Sequence, residues 1–269
     1  MTLVVLGPVT NDLIIIGAEK SYKIGGASYF QSFVFEKFFK DYLIITNCSS
    51  HTFANEFPIP EKVKTILKDN SHYFINNYPY PDNLDIRMQL SNFANIPILI
   101  SDLKNILPDK IDGFVLNPLN RYDFPIETID YLKTFEVPIF ASIQGFLREP
   151  DLQVNENYTI KLSNFEGLSD ILDGVNAIFL DEDEKNIIDD NYNIYEMVIT
   201  NGSRGSRIIS DNEININAIK CDKIVDTTGC GDTYMAAYLS KRLKNENIKN
   251  SAEFASYIAS QKLKKSGHF

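Results

Sequence analysis

Short apolar runs alternate with amphipathic segments along the chain, and this alternation is typical of an α/β sheet. Most of the apolar runs are continuous over four or five residues, as in parallel strands that are covered on both faces. They are Leu3–Leu6, Tyr42–Thr46, Gly113–Leu116, Pro138–Ser142, Ala177–Leu180 and Met197–Thr200. Between them, apolar residues recur at helical spacing, for example at Met235, Leu239 and Leu243. The pattern predicts one α/β domain over residues 1–269, with a mainly parallel central sheet flanked by helices.

Two segments interrupt this alternation and predict a small β lid. Residues 12–24 have the pattern of two short strands around a turn at Gly17. Residues 72–90 are rich in aromatic side chains and proline, as in an extended chain that projects from the sheet. An irregular loop and an edge hairpin are the alternative. Because two copies of such a lid could hide their unpaired edges by pairing, a homodimer through the lid is a further hypothesis.

Composition and charge narrow the class of protein. The chain has 269 residues, of which 44% are hydrophobic and 23% are charged, the balance of a globular protein. With 26 Lys and Arg against 36 Asp and Glu, the net charge is −10, which argues against a nucleic-acid partner. No apolar stretch approaches the roughly 20 residues of a membrane helix, and the N-terminus lacks the basic lead of a signal peptide. The three cysteines are too far apart in sequence to indicate a disulfide framework or a zinc site, so we expect a cytoplasmic protein without a membrane partner.

The most informative segment is residues 224–233, with the sequence Ile-Val-Asp-Thr-Thr-Gly-Cys-Gly-Asp-Thr, which precedes a helical pattern. Glycines let a backbone approach a ligand closely, and amides at a helix N-terminus bind anions. Gly229, Cys230 and Gly231 are therefore predicted to bind the phosphoryl group that is transferred. Asp232 follows in the first helical turn, where its carboxylate can accept the proton of an attacking hydroxyl and the helix dipole should keep it ionised. A capping Asp after a glycine bend, without a function, is the alternative.

This segment resembles the motif Asp-Thr-x-Gly-Ala-Gly-Asp of the ribokinase-like (PfkB) carbohydrate kinases, with Cys230 in place of the usual alanine. The resemblance implies a ribokinase-like three-layer α/β sandwich with a β lid. It also implies an ATP-dependent transfer to an alcohol, with Asp232 as the catalytic base and the amides of Gly229–Gly231 as the anion hole. Since no P-loop motif is present, a kinase would need this other design for phosphate. Mg²⁺ would accompany ATP, and a requirement for a monovalent cation stays open.

Two further segments are similar to the donor side of the family pattern. Residues 196–205 match its Thr-x-Gly-x-x-Gly segment, which contacts the nucleotide phosphates. The nucleotide-binding residues implied in this way are Thr200, Gly202, Gly205, Thr228, Gly229 and Gly231. Asp181 and Glu184 stand where the family has Asn-x-x-Glu, which organises water around the magnesium ion, and they are the metal candidates. A solvated acidic first turn of a helix is the alternative.

The acceptor side is implied by segments from three parts of the chain. Its candidate substrate-binding residues are Asp12, Gly25, Gly26, Ser28, Gln144 and Arg148. Asp12 matches the early Asp of the family, and the two glycines match its substrate loop at the start of a helix. A Gln followed four residues later by an Arg, just past a buried strand, resembles the myo-inositol kinase branch. A surface Arg148 paired with Glu149 or Asp151 is the alternative.

The predicted function is ATP-dependent phosphorylation of a hydroxyl of a small polyol or sugar, with myo-inositol as the first candidate. Two alternatives remain. A nucleoside kinase has the same scaffold, and Tyr29, Phe30 or Tyr78 could stack on a base. A sugar-binding sensor that has lost catalysis belongs to another class of protein, and the intact Asp232 argues against it.

Overall fold

The chain folds into two β-sheets, and helices pack on both faces of the larger one. The computed structural model describes residues 2–80, 88–188, 192 and 194–269. The strands are β1 (Leu3–Leu6), β2 (Thr10–Ile16), β3 (Glu19–Gly25), β4 (Tyr42–Cys48), β5 (Val63–Leu67), β6 (Phe74–Tyr78), β7 (Met88–Ser91), β8 (Gly113–Leu116), β9 (Ile139–Ser142), β10 (Arg148–Val154), β11 (Asn157–Leu162), β12 (Ala177–Asp181), β13 (Glu196–Thr200), β14 (Ser206–Ile209) and β15 (Glu213–Ile216). The α-helices are α1 (Ala27–Phe38), α2 (Ile100–Leu103), α3 (Ile126–Lys133), α4 (Gln144–Leu147), α5 (Leu168–Leu172), α6 (Glu182–Lys185), α7 (Cys230–Arg242) and α8 (Ile248–Lys262).

The large sheet has the strand order β15-β14-β13-β12-β9-β8-β1-β4-β5. From β13 to β5 every neighbouring pair is parallel, and β14 and β15 add an antiparallel edge. This confirms the predicted mainly parallel sheet. The apolar runs all lie in it, and their bounds shift by at most two residues; for example, the predicted Tyr42–Thr46 continues to Cys48 as β4.

The core explains why these strands are continuously apolar. In β1, Leu3 and Val5 pack in one cluster with residues of α1, α7 and α8, whereas Val4 and Leu6 pack in a second cluster with residues of α3 and α5. Alternating side chains of one strand therefore enter two apolar layers, and no position of β1 is exposed. The result is the three-layer arrangement of helices, sheet and helices.

The second sheet has the order β10-β11-β7-β6-β2-β3 and contains both segments of the predicted lid. The strands β2 and β3 form an antiparallel hairpin around Gly17, as their pattern predicts, and β6 pairs with β2 in parallel. Of the predicted lid segment 72–90, residues 81–87 lie outside the described residues. The strands β10 and β11 were not predicted, and they extend this sheet beyond the expected bounds.

The topology determines where a ligand can bind. Parallel strands of an open sheet end at a common edge, and the loops beyond their carboxyl ends form a crevice. Here that edge carries the residues that follow β8, β9, β12 and β13, and the glycine turn (Gly229–Gly231) lies there before α7. Among the described residues, no helix has the length and apolar character that a membrane crossing requires.

Candidate active site

A cavity of about 780 Å³ lies between the carboxyl edge of the large sheet and the second sheet. One end is formed by the loop after β13 and by the glycine turn, and the other end includes Asp12 of β2, Phe74 of β6 and Arg148 of β10. Most of the candidate residues line it. They are Asp12, Gly26, Gln144, Arg148, Asp181, Glu184, Thr200, Gly202, Thr228, Gly229, Cys230, Gly231 and Asp232.

Gly25, Ser28 and Gly205 lie behind the cavity wall and not in it, so the structure corrects their expected contacts. Gly25 ends β3 next to the side chain of Asp12. Ser28 is fully buried in α1, and its hydroxyl accepts a hydrogen bond from the side-chain amide of Asn117 at 3.1 Å. Gly205 closes the turn into β14 and touches the backbone of Ile216.

The glycine turn begins α7 and leaves its first amides at the cavity wall. Gly229 precedes the helix with φ 73°, in the left-handed region, and packs against the ring of Phe30. The amide of Cys230 donates to the carbonyl of Thr227 at 3.2 Å, and the amide of Thr233 donates to that of Gly229 at 2.9 Å. The amides of Gly231 and Asp232 belong to the first turn, where a helix offers no internal acceptor. This wall is therefore suited to an anion, as predicted.

Asp232 lines the cavity within the same helical turn. Burial raises the pKa of this carboxyl to about 6, and the positive charge of Arg148 partly opposes the rise. The Asp232 carboxyl is therefore mostly ionised at neutral pH, as expected, although burial raises its pKa by more than the helix end was expected to lower it. A carboxylate with a pKa of about 6 is mostly ionised at neutral pH and can accept a hydroxyl proton.

Arg148 and Gln144 form the polar wall opposite the glycine turn. Arg148 is only 9% exposed, its Nη2 donates to Oε1 of Gln144 at 2.7 Å, and its Nη1 lies 3.5 Å from the carbonyl oxygen of Leu119. Its guanidinium also lies 5.0 Å from the ring centre of Phe74, in a cation–π arrangement. The alternative of a surface arginine paired with a neighbouring acid is wrong.

Glu149, the neighbour of Arg148 in sequence, has other partners. It forms ion pairs with Arg121 at 3.3 Å and with Lys161 at 3.2 Å. The side chain of Arg148 thus lies in the cavity wall, whereas that of Glu149, the next residue of β10, forms its ion pairs on the other face of the strand. This alternation is that of a strand, in which successive side chains point to opposite faces.

Asp181 and Glu184 cap the short helix α6 reciprocally. The Asp181 side chain accepts from the amide of Glu184 at 2.8 Å, and the Glu184 side chain accepts from the amide of Asp181 at 2.9 Å. Glu184 is 3% exposed, and burial together with the charge of Asp181 raises its pKa to about 7. Among the described residues, no group of three or more His, Cys, Asp or Glu side chains could hold a metal ion by itself. Both residues therefore cap α6, and the buried Glu184 does not fit the alternative of a solvated acidic turn. Capping does not conflict with a place beside phosphate-bound magnesium.

The loop after β13 carries an exposed cation, Arg204. Arg204 lines the cavity, and its Nε and Nη2 donate to Oδ1 of Asn201 at 2.9 and 2.6 Å. The hydroxyl of Thr200 donates to the carbonyl of Leu180 at 3.4 Å, which joins the ends of β13 and β12. This loop therefore brings a positive charge and several backbone groups to the donor end of the cavity.

Residues 160–268 match the model of the pfkB family carbohydrate kinases. The match covers the C-terminal part of the chain and less than half of its length. The matched residues include the loop after β13 and the glycine turn, which form one end of the cavity.

The individual proteins to which the chain is similar include several kinases. A nucleoside kinase of Methanocaldococcus jannaschii is 32% identical to it over 111 residues, which are 36% of this chain and 37% of that enzyme. The chain thus matches little more than a third of the length of this curated relative. A pyrophosphate-dependent kinase in the ribokinase family, complexed with a pyrophosphate analog and myo-inositol, has a TM-score of 0.81 at 20% identity, with 99% of this chain and 96% of that chain covered. A ribokinase of Arabidopsis thaliana with ribose and ATP has a TM-score of 0.74 at 16% identity, with 99% and 93% covered. At these identities, the two structures establish the ribokinase-like fold.

The sequence analysis missed some residues of the cavity wall. Phe74, Gln89, Pro118, Leu119 and Met235 line the cavity and belong to four different parts of the chain. Pro118 and Leu119 follow β8 directly, so the rule that ligands bind beyond strand ends could have found them. No local signal marks Gln89 or Met235, because their places depend on how the second sheet and α7 pack.

Proposed function

We propose that the protein is a kinase that transfers a phosphoryl group from ATP to a hydroxyl of a small polyol or sugar, with myo-inositol as the first candidate. One observation carries the proposal. A single cavity brings the amides of the glycine turn and the carboxylate of Asp232 together with the polar side chains of Asp12, Gln144 and Arg148. The first set suits a migrating phosphoryl group, and the last suits a hydroxyl-rich acceptor.

The reaction follows from these roles. Asp232 accepts the proton of the acceptor hydroxyl while the alcohol oxygen forms a bond to the terminal phosphorus of the donor. The bond from that phosphorus to the bridging oxygen breaks, and the leaving group, ADP when ATP is the donor, carries away the electron pair on that oxygen. The amides of Gly231 and Asp232 are placed to stabilise negative charge on the transferred group. Arg204 adds a positive charge at the donor end.

A divalent cation fits this donor end through its acidic residues. Magnesium usually binds one or two carboxylates together with substrate phosphates and water, and it neutralises donor oxygens when bound. Asp181 and Glu184 would hold it, because both line the cavity and each has one carboxylate oxygen outside the capping bonds described above. Inorganic pyrophosphate should be tested beside ATP, because the ribokinase-family enzyme compared above is pyrophosphate-dependent.

A nucleoside acceptor is the second candidate, because the curated relative is a nucleoside kinase. Of the three aromatic residues named for base stacking, Phe30 lines the cavity, whereas Tyr29 and Tyr78 do not. Phe74 does line it, but the guanidinium of Arg148 covers one face of its ring. The polyol therefore has more support from the wall of the cavity, and the nucleoside has more support from the sequence match.

The test is a panel of acceptors with two donors. Myo-inositol, ribose, fructose phosphate and adenosine are each supplied with ATP or pyrophosphate and magnesium, and the phosphorylated product is measured. We expect turnover with myo-inositol or another polyol; turnover only with adenosine would support the second candidate. Binding of a sugar without any phosphorylation would instead support the sensor.

Asp232→Asn tests the assigned base. Losing a general base costs about 10² to 10⁴ in rate, so kcat should fall by that factor while donor binding, measured by calorimetry, persists. Asp211→Asn is the matched control, because Asp211 is an exposed acid in the turn before β15. Near-normal turnover of the Asp232→Asn protein would remove the role given to this carboxylate.

The second sheet is proposed as a lid and as the site of a homodimer. Tyr22 of β3 and Leu152 of β10 lie at opposite ends of this sheet and are 69% and 66% exposed. Apolar side chains on edge strands are protected when a second copy covers them. Light scattering should report twice the monomer mass, and a monomer at all concentrations would exclude the dimer.

A further inference from the structure

Lys262 is a fully buried lysine next to the segment that leads into the glycine turn. It is the last residue of α8, and its side chain has no exposed surface. A buried ammonium is costly unless it is paired and hydrogen-bonded. Its Nζ donates to the backbone carbonyl oxygen of Asp226 at 2.9 Å and lies 3.8 Å from Oδ2 of the same residue. One residue therefore provides both compensating contacts.

Asp226 in turn connects the glycine turn with the end of the chain. Its Oδ1 accepts from the amide of Thr228 at 2.9 Å, and its Oδ2 accepts from the amide of Gly267 at 3.0 Å. Burial acts to raise the pKa of Asp226, but these amides and the ammonium of Lys262 outweigh burial, and the pKa lies below its usual value. The carboxylate is thus held as an anion between two cations, because Lys23 of β3 also lies 4.0 Å away.

The two cations differ in what surrounds them. The side chain of Lys23 is 51% exposed, so water and salt screen its charge, whereas that of Lys262 is sealed. The backbone beside Lys262 strengthens the link, since the amide of Val225 donates to the carbonyl of Leu263 at 2.8 Å. The end of α8 therefore holds residues 225 and 226 by a main-chain bond and by an ion pair.

The glycine turn depends on this link for its position. Beyond Asp226, the turn has local bonds, such as that from the amide of Cys230 to the carbonyl of Thr227, and one long-range contact from Sγ of Cys230 to the carbonyl oxygen of Ala259 in α8 at 3.9 Å. The ring of Phe30 also packs against Gly229. The direction of the α7 amides toward the cavity therefore depends on the packing of α7 and on the point from which the chain enters the turn.

We propose that Lys262 is a positioning residue for phosphoryl transfer: its buried ammonium fixes Asp226 and thereby orients the amides of the glycine turn toward the donor. The inference rests on the proposed function for its catalytic consequence. The orientation of the turn is a property of the chain that can be measured without any turnover.

Lys262→Met tests this with a side chain of similar length and no charge. Hydrogen exchange of the peptide that covers residues 227–233 should become at least tenfold faster, while that of β1 stays unchanged. In kinetics, the KM for the donor should rise about tenfold or kcat should fall as much, and the KM for the acceptor should stay within twofold. Lys264→Met is the matched control, because Lys264 is exposed two residues later in the chain.

A second variant separates loss of charge from loss of packing. Lys262→Ala leaves space beside the oxygens of Asp226, so ammonium or potassium ions should restore part of the donor affinity, and tetramethylammonium at equal ionic strength should not. Unchanged exchange at residues 227–233 in Lys262→Met overturns the proposal whether or not a substrate is found. So does a variant that loses thermal stability but keeps the donor KM and kcat, since Lys262 would then serve the fold alone. If the wild-type protein phosphorylates nothing while exchange responds as expected, the proposed function fails and the positioning role stands.

Discussion

Substituting Gly229 by alanine should damage the fold and the site together. Gly229 has φ 73°, a conformation that costs an L-residue about 1–2 kcal/mol. A Cβ at this position would lie 2.5 Å from two ring carbons of Phe30. That is far inside normal contact distance, and Phe30 is 6% exposed in the core, so its ring has little room to retreat.

The expected cost adds the two effects. Forcing an extra methyl group into a packed core costs about 1–3 kcal/mol, so Gly229→Ala should lose about 2–5 kcal/mol of unfolding free energy. For a chain of this size, each kcal/mol lowers Tm by about 2–4 °C, which gives a fall of about 4–20 °C. Differential scanning calorimetry measures this fall. The kinetics of the folded fraction should show a reduced kcat, because Phe30 and the first turn of α7 must both shift.

Gly231→Ala is the control that separates strain from the loss of space for the donor. No atom lies within 4 Å of a Cβ at Gly231, and this glycine does not have a positive φ. Alanine there should stabilise the protein by about 0.4–1 kcal/mol, because it reduces the freedom of the unfolded chain. Its methyl group would nevertheless stand on the cavity wall beside the amides that are assigned to the donor.

The pair of variants should therefore diverge. We expect Gly231→Ala to keep or raise Tm while the donor KM rises severalfold, and Gly229→Ala to lose Tm. Wild-type stability of Gly229→Ala would show that the strain and the contact with Phe30 are absent in solution. Wild-type kinetics of Gly231→Ala would show that the donor does not approach this wall.

Other predictions concern charge and metal. Arg148→Gln should move the acidic limb of the kcat/KM profile to higher pH. Asp232 acts only when it is ionised, its pKa is about 6, and removing the positive charge of Arg148 raises that pKa further. An unmoved profile would contradict this. Glu196→Gln should lower Tm by about 6–12 °C in calorimetry, because the 4% exposed carboxylate accepts from Tyr238 at 2.6 Å and from Arg242 at 3.0 Å, and breaking a buried pair costs about 3 kcal/mol. Glu196 begins β13, at the opposite end of the strand from the cavity, so kcat of the Glu196→Gln protein should equal that of the wild type. Removing divalent ions with a chelator should abolish turnover and leave Tm unchanged; a large fall in Tm would indicate a structural ion.

The central sheet could be predicted because its signal is local. A run such as Leu3–Leu6 is apolar on both sides of the strand, and only a doubly covered strand tolerates that pattern. The strands β10 and β11 could not be predicted in this way. Their residues are mostly exposed or half-buried and polar, so their pairing depends on the rest of the second sheet.

The same contrast divides the candidate site. The glycine turn and Asp232 form one contiguous segment in which each residue type has a direct backbone or proton-transfer role. Ser28 was assigned by its nearness to Gly26 in sequence, but two residues along a helix are about 200° apart around its axis. Its hydroxyl therefore points to Asn117 inside the protein while Gly26 lines the cavity.

Arg148 shows why the chemistry of the site goes beyond its motif. The sequence predicts a carboxylate at Asp232 held ionised by a helix end, whereas the structure adds burial that raises its pKa and a distant arginine that restrains the rise. A much lower pKa would make a weak base, and a higher one would leave it protonated at neutral pH. Arg148 also binds Gln144 in the acceptor wall. In the proposed kinase, an acceptor that draws Arg148 or Gln144 toward its own hydroxyls would therefore change the charge environment of Asp232, and this would link recognition of the acceptor to removal of its proton.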